Sequence, residues 1–221
     1  MNHRALKDGL YEQFARIGKG VSNPHRLEIL DLLCQGEKSV ETLARETGLT
    51  VKNTSAHLRV LRGARLVDSR KEAQFVYYRL AGEEVCSFFL ALRGLAESRL
   101  AEVREVSREY FEGPSRMTPV DRRLLLSRVE RGEVTVLDVR PEGEYRAGHI
   151  PGARSVPLKE LRETMRSIPK DQEVVAYCRG PYCVLALEAV ALLRAEGFHA
   201  VRLEDGVADW KAAGLPVQRG S

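Results

Sequence analysis

The sequence predicts two domains: a mainly α-helical unit that includes a β-hairpin, followed by an α/β unit built on a mainly parallel sheet. Three observations lead there. A length of 221 residues exceeds the needs of one average domain and suits two of about 100 residues each. Over the first half, apolar residues recur at helical spacing in short segments broken by glycine. Beyond the break at Phe111-Glu112-Gly113-Pro114-Ser115, short apolar runs alternate with helical stretches, as in strands joined by helices. The boundary falls at Gly113, giving domains 1–112 and 113–221.

Apolar residues make up 43% and charged residues 30% of the chain, an ordinary globular balance that excludes fibrous and disordered classes. Arg4, Lys7, Asp8 and Glu12 leave no apolar stretch for a secretory signal, and no apolar run is long enough to cross a membrane. The reading is a cytoplasmic protein with no membrane partner. Thiols are mostly reduced there, so the four cysteines read as free or reactive rather than as structural disulfides.

In the first domain, Asn23-Pro24 suits a cap followed by a helix-starting proline, with Leu27, Leu30 and Leu33 on the helix that follows. Val40, Leu43 and Ala44 repeat the spacing, with Ser39 and Thr42 at that helix's entry and breaks at Gly36 and Gly48. Residues 39–46 and 51–61, joined by Gly48-Leu49-Thr50, then form a helix–turn–helix. Its second helix carries Lys52, Asn53, Ser55, His57 and Arg59, polar or basic side chains able to reach base edges and phosphates in a major groove.

Net charge is only +4, but Lys52, Arg59, Arg62, Arg65, Arg70 and Lys71 are opposed only by Asp68 over that stretch, the density a nucleic-acid partner calls for. A polar turn at 70–73 and the run Gln74-Phe75-Val76-Tyr77-Tyr78-Arg79-Leu80 predict a hairpin, a wing that brings Arg70, Lys71 and Gln74 to the neighbouring backbone or minor groove. Residues 83–110 predict one closing helix, with Val85, Phe88, Phe89, Leu92, Leu95 and Leu100 on a broad face. That face fits a dimer contact and packing on its own domain alike.

Asn23-Pro24-His25-Arg26-Leu27-Glu28-Ile29-Leu30, Ser55-Ala56-His57-Leu58-Arg59-Val60-Leu61 and Tyr77-Tyr78-Arg79-Leu80 resemble, in order, the opening helix, recognition helix and wing strand of the ArsR family of bacterial repressors. The resemblance covers about the first hundred residues. It implies a winged helix and a homodimer on near-palindromic operator DNA. Many such repressors sense metals or arsenic through a Cys-x-Cys-type pair ahead of the recognition helix. Here that place reads Gly36-Glu37-Lys38-Ser39-Val40-Glu41, and no histidine occurs from Asp68 to Leu100, so no metal site and no cofactor is expected. Some sulfur-responsive relatives pair one cysteine from the opening helix with one from the closing helix. Cys34 and Cys86 lie on those helices, but Asp31 stands where the first is expected, so both read as buried, inert thiols.

In the second domain, residues 134–139, 173–177 and 199–203 read as short strands, and a helix spans 184–196. Between strand and helix lies Tyr177-Cys178-Arg179-Gly180-Pro181-Tyr182-Cys183. A thiol on such a loop meets backbone amides and a helix N-terminus, which stabilise a thiolate and then a persulfide. Leu137-Asp138-Val139-Arg140, Glu144-Tyr145, Gly148-His149-Ile150-Pro151-Gly152-Ala153, Gly206-Val207-Ala208-Asp209-Trp210 and Gly214-Leu215-Pro216-Val217 resemble the signatures of the rhodanese family from about Met117 to Val217.

That resemblance makes Cys178 the catalytic thiol, with Asp138 and Arg140 bracing the strand end, Gly148, Pro151 and Gly152 shaping a turn, and Trp210 packing. The loop departs from the usual pattern by ending in Cys183-Val184, and Pro181 removes an amide donor. Arg179 either supplies a cation for thiosulfate or a persulfide, or faces outward. Cys183 either resolves a persulfide or sulfenate on Cys178 into a disulfide, or points into the core.

Three functional readings follow. The first is a DNA-binding repressor whose second domain senses or transfers reactive sulfur from a small donor such as thiosulfate or a persulfide. The second is a sulfurtransferase whose winged helix serves localisation or dimerisation. The third, disfavoured by the missing ligands, is an arsenic- or metal-responsive repressor.

Overall fold

The computed structural model describes residues 3–111 and 122–220, so the boundary expected at Gly113 lies outside the described residues. The chain divides into two compact units, Met1–Arg93 and Gly94–Ser221. Among the described residues no helix is long and apolar enough to cross a membrane.

The first unit begins with α1 (His3–Val21) and α2 (Pro24–Cys34), followed by β1 (Lys38–Ser39), α3 (Val40–Thr47) and α4 (Val51–Gly63). The caps are those the sequence marks. Asn23, Ser39 and Thr50 each accept a backbone N–H from three residues on with the side-chain oxygen, which satisfies an orphan donor of the first turn. Gly48 ends α3 at φ 67°, a left-handed position that a side chain resists and that starts the turn into α4. Ile29, Leu30, Leu33, Leu43, Leu58 and Leu61 form the core, each burial contributing about 1.5–3 kcal/mol.

The hairpin pairs β2 (Val67–Glu72) with β3 (Phe75–Leu80), and β1 adds to the other side of β3, giving an antiparallel order β1-β3-β2. The turn is Ala73-Gln74, with Ala73 at φ 52°, rather than the whole of 70–73. Pairing persists because Arg70 lies opposite Tyr77 and stacks its guanidinium 4.7 Å from that ring's centre, a cross-strand contact that favours continued strand. The expected closing helix is two helices, α5 (Glu83–Arg99), which crosses the division at Arg93, and α6 (Ala101–Phe111), which falls in the second unit. At Leu100 the bonding tightens, with the Val103 N–H donating to the Leu100 carbonyl three residues back at 3.2 Å.

One expectation is overturned in this unit. Cys34 and Cys86 are joined by a disulfide, not held as free inert thiols. The last residue of α2 meets the first turn of α5 with Cα atoms 5.6 Å apart, within the range a disulfide requires.

The second unit adds α7 (Arg122–Glu130), β4 (Val134–Asp138), α8 (Glu142–Ala147), β5 (Arg154–Ser155), α9 (Leu161–Thr164), β6 (Glu173–Tyr177), α10 (Leu185–Ala195), β7 (Ala200–Arg202) and α11 (Val207–Ala212). Its sheet has the order β5-β4-β6-β7, with every pair parallel. The strand alternation splits the core into two layers. Val174, Ala176 and Cys178 pack with Ala186, Ala189 and Leu193 of α10. Val175 and Tyr177 face the opposite layer with Leu125 and Trp210. Cys178 therefore leaves β6 pointing to the α10 side.

Candidate functional site

Two sites emerge, one in each unit. On α4, Thr54, Leu58 and Leu61 are buried, which turns Lys52, Asn53 and Arg59 to solvent with Ser55 and His57 half-buried at the margins. Lys52 and Arg59, seven residues apart, lie along one face. The ring of His57 lies 5.6 Å from that of His25 on α2. Burial, then the charges of His25 and Arg26, hold its pKa below the ordinary histidine value. His57 is thus a neutral donor or acceptor near pH 7.

On the hairpin, Lys71 is exposed. The Arg70 guanidinium is engaged by Glu37 at 2.8 and 2.5 Å and by Glu72, which braces the hairpin against the β1 approach as well as carrying charge. Lys52, Asn53, Ser55, His57 and Arg59 share one helix, while Arg70 and Lys71 sit apart on β2.

The second site is the loop between β6 and α10. A buried network fixes the strand ends beneath it. The Arg140 guanidinium donates to Asp138 at 2.9 and 2.5 Å and to the Gly148 carbonyl at 2.7 Å, both side chains fully buried. The Tyr177 hydroxyl donates to Asp138 at 2.6 Å and accepts the Ile150 N–H at 3.1 Å. Burial, with the Asp138 charge adding to it, pushes the Tyr177 pKa well above its usual value, so it stays a neutral donor. A buried charge pair satisfied on this many sides orients the residue that follows Tyr177, which is Cys178.

The loop is held from outside by residues the sequence does not single out for it. Glu144 binds the Arg179 guanidinium with contacts of 3.0 and 2.5 Å, so Arg179 neither faces outward nor stands without a counter-charge. Arg202, a buried arginine on β7, donates to the carbonyls of Gly180, at 3.4 Å, and Pro181. A lone arginine in an otherwise apolar strand run was its only signal. Gly206 closes the back: a Cβ there would lie 2.0 Å from the Arg179 carbonyl oxygen and 2.9 Å from the Gly180 nitrogen, so only glycine allows this approach.

With its carbonyls held by Arg202, the loop closes through the Cys183 N–H on the Gly180 carbonyl at 3.2 Å. Its two thiols then meet. Cys178 is 1% exposed and donates its S–H to the Cys183 carbonyl at 3.4 Å. Burial first, and the contact with Cys183 second, push its pKa well up, against the pull of the Ala186 and Gly180 amides. Cys183 is half-buried. Its pKa falls to about 6, chiefly through the neighbouring Cys178 side chain, with help from the Arg179 and Leu185 amides and the Arg179 charge. Val184 gives α10 no side-chain cap, so its first amides are available to the two sulfurs. Among the described residues no group of three or more His, Cys, Asp or Glu side chains is placed to hold a metal ion.

Comparison with known proteins agrees with this division. Residues 23–69 match the model of the bacterial regulatory protein, arsR family, and residues 121–213 that of the rhodanese-like domain. The chain is 44% identical over 215 residues to the HTH-type transcriptional regulator Rv0324 of Mycobacterium tuberculosis, covering 97% of this chain and 94% of that protein. It is 35% identical over 86 residues to a sulfurtransferase of Allochromatium vinosum, covering 38% of this chain and 78% of that protein. Among solved structures, a homodimeric winged helix-turn-helix DNA-binding domain from Mycobacterium bovis is 41% identical, with a TM-score of 0.43 over 46% of this chain and 93% of that one.

Proposed function

The chain belongs to the ArsR-type transcriptional regulators that carry a C-terminal rhodanese-like domain, and from that premise we propose that it is a cytoplasmic repressor whose operator affinity responds to reactive sulfur captured on the loop at Cys178 and Cys183. The observation that carries this reading is the meeting of the two thiols at the N-terminus of α10, with backbone amides directed at both sulfurs. An amide cradle stabilises a thiolate and then the anionic persulfide that sulfur transfer leaves on it.

The DNA contact is the exposed face of α4, with Lys52, Asn53 and Arg59 central, Ser55 and His57 at its margins, and Arg70 and Lys71 from the hairpin beside it. A homodimer presents two such helices to a near-palindromic operator. The apolar residues exposed on α1, Leu6, Leu10 and Phe14, recur every four positions and form the kind of stripe a second copy covers. The Cys34–Cys86 disulfide ties α2 to α5 within the DNA-binding unit.

The test is operator binding by fluorescence anisotropy, with the reduced wild type and Cys178→Ser measured before and after a persulfide donor and with intact mass followed in parallel. A donor that weakens wild-type binding but not that of Cys178→Ser, with sulfur captured on the loop, supports one sensor. Unchanged binding in all four samples despite sulfur uptake would leave a sulfurtransferase tethered to a DNA-binding unit.

A further inference from the structure

His25 and His57 face each other across the junction of α2 and α4, with ring centres 5.6 Å apart. His25 keeps 45% of its side chain exposed, and His57 is half-buried at the margin of the exposed α4 face. A helix about 10–12 Å across fills a major groove about 12 Å wide. Side chains in the middle of its exposed face therefore meet base edges, and those at its margins meet the phosphates that line the groove. His57 stands one turn after Asn53 on one margin, and the first turn of α2 sets His25 beside it.

Helix α2 contributes the charges around the pair. Arg26 is held by the Lys19 and Gly20 carbonyls of α1 at 2.9 and 2.6 Å. The Glu28 carboxylate lies 4.0 Å from the His25 Nδ1, which leaves Nε2 for another anion. The residues one turn from His57 on its own helix, Asn53, Thr54, Val60 and Leu61, are uncharged. Burial first, then the charges of His25 and Arg26, keep the His57 ring neutral in the free protein near pH 7, and two imidazoles this close titrate as a pair. An approaching phosphate reverses the balance, because a nearby anion stabilises an imidazolium.

We propose that His25 and His57 together clamp one backbone phosphate of the bound DNA, and that the pair takes up one proton from solvent as it does so. This deepens the DNA-contact reading above and rests on it. Each ring gives one N–H to the phosphate oxygens, and the pair carries a single positive charge. The contact is then charge-assisted, where two neutral rings would make ordinary hydrogen bonds. By linkage, the free pair has the lower pKa and the DNA-bound pair the higher, so DNA is held more tightly as pH falls through the interval between them. A phosphate carries no base identity, so the proton is taken up on any duplex the protein binds, operator or not.

The test is fluorescence anisotropy with the full chain on a random-sequence duplex and on the operator, at pH 6 and pH 8 and constant ionic strength. The wild type is compared with His25→Gln, His57→Gln and the double variant, with circular dichroism reporting the fold of each. The wild type is expected to bind roughly tenfold more tightly at pH 6 than at pH 8. Each single variant should lose roughly fivefold or more in affinity at pH 6 and much less at pH 8, and the double variant should lose the pH dependence. Calorimetric titration in two buffers of different ionisation enthalpy should show net proton uptake by the wild type and none by the double variant. A wild-type affinity that does not change with pH, a loss in the variants that is equal at pH 6 and pH 8, or a double variant that keeps the pH dependence would overturn the clamp while leaving a DNA-binding unit in place. No binding to either duplex at either pH would remove the DNA reading with it.

Discussion

Reduction of the Cys34–Cys86 bond should loosen the DNA-binding unit by an amount the chain length sets. The two residues are 52 apart in sequence, and closing a loop of that size in the unfolded chain corresponds to about 4 kcal/mol in the chain-entropy model. With a urea slope of about 2 kcal/mol per molar, the unfolding midpoint of the first unit should fall by roughly 2 M on reduction. The molecule contains its own control. Its single tryptophan, Trp210, is fully buried in the second unit, so its fluorescence follows that unit, while far-ultraviolet circular dichroism includes the helices of both.

Urea titrations of the oxidised protein, the reduced protein and the Cys34→Ala/Cys86→Ala double variant should therefore show a helical transition that moves and a tryptophan transition that does not. The double variant should unfold with the reduced protein and be indifferent to reductant. A shift of under roughly 0.5 M, or a tryptophan midpoint that moves just as far, would refute the argument, since the bond would then not be constraining the first unit's unfolded chain.

Other residues make sharper local predictions. Asp138→Asn leaves the fully buried Arg140 without its carboxylate and should destabilise the second unit by about 3–5 kcal/mol, read as an earlier Trp210 transition. Gly206→Ala places a methyl 2.0 Å from the Arg179 carbonyl oxygen. It should displace the loop and slow sulfur uptake roughly tenfold or more while the Trp210 fold signal persists, and uptake at the wild-type rate would show that the close approach is not needed. Lys52→Ala should weaken operator binding and lower the slope of log affinity against log salt by about 1, measured by anisotropy over a salt series; an unchanged slope would remove Lys52 from the phosphate contacts.

Much of the fold was legible because the local signals were redundant. Strands β4 and β6 are mostly apolar, with Val134, Val136 and Leu137 in one and Val174, Val175 and Ala176 in the other, as suits parallel strands covered on both faces, and Asn23, Ser39 and Thr50 are residues whose short side chains cap helices. The two-residue strands β1 and β5 were not, since two residues carry no period. In α1, polar and charged residues surround Leu6, Leu10 and Phe14, and those residues mark a helix only once their four-residue spacing is set against a partner rather than a core.

The cysteines divide along the same line. Cys178 announces itself because strand, loop and helix are contiguous in sequence, whereas Glu144, Arg202 and Gly206, which hold the loop, lie more than twenty residues from it. The Cys34–Cys86 bond depends on how α2 meets α5 across 52 residues, and the expectation of a reducing compartment argues against it. The bond forms because the end of α2 and the first turn of α5 bring the two Cα atoms to 5.6 Å, a separation a disulfide spans without backbone movement, and no spacing within either helix announces that meeting.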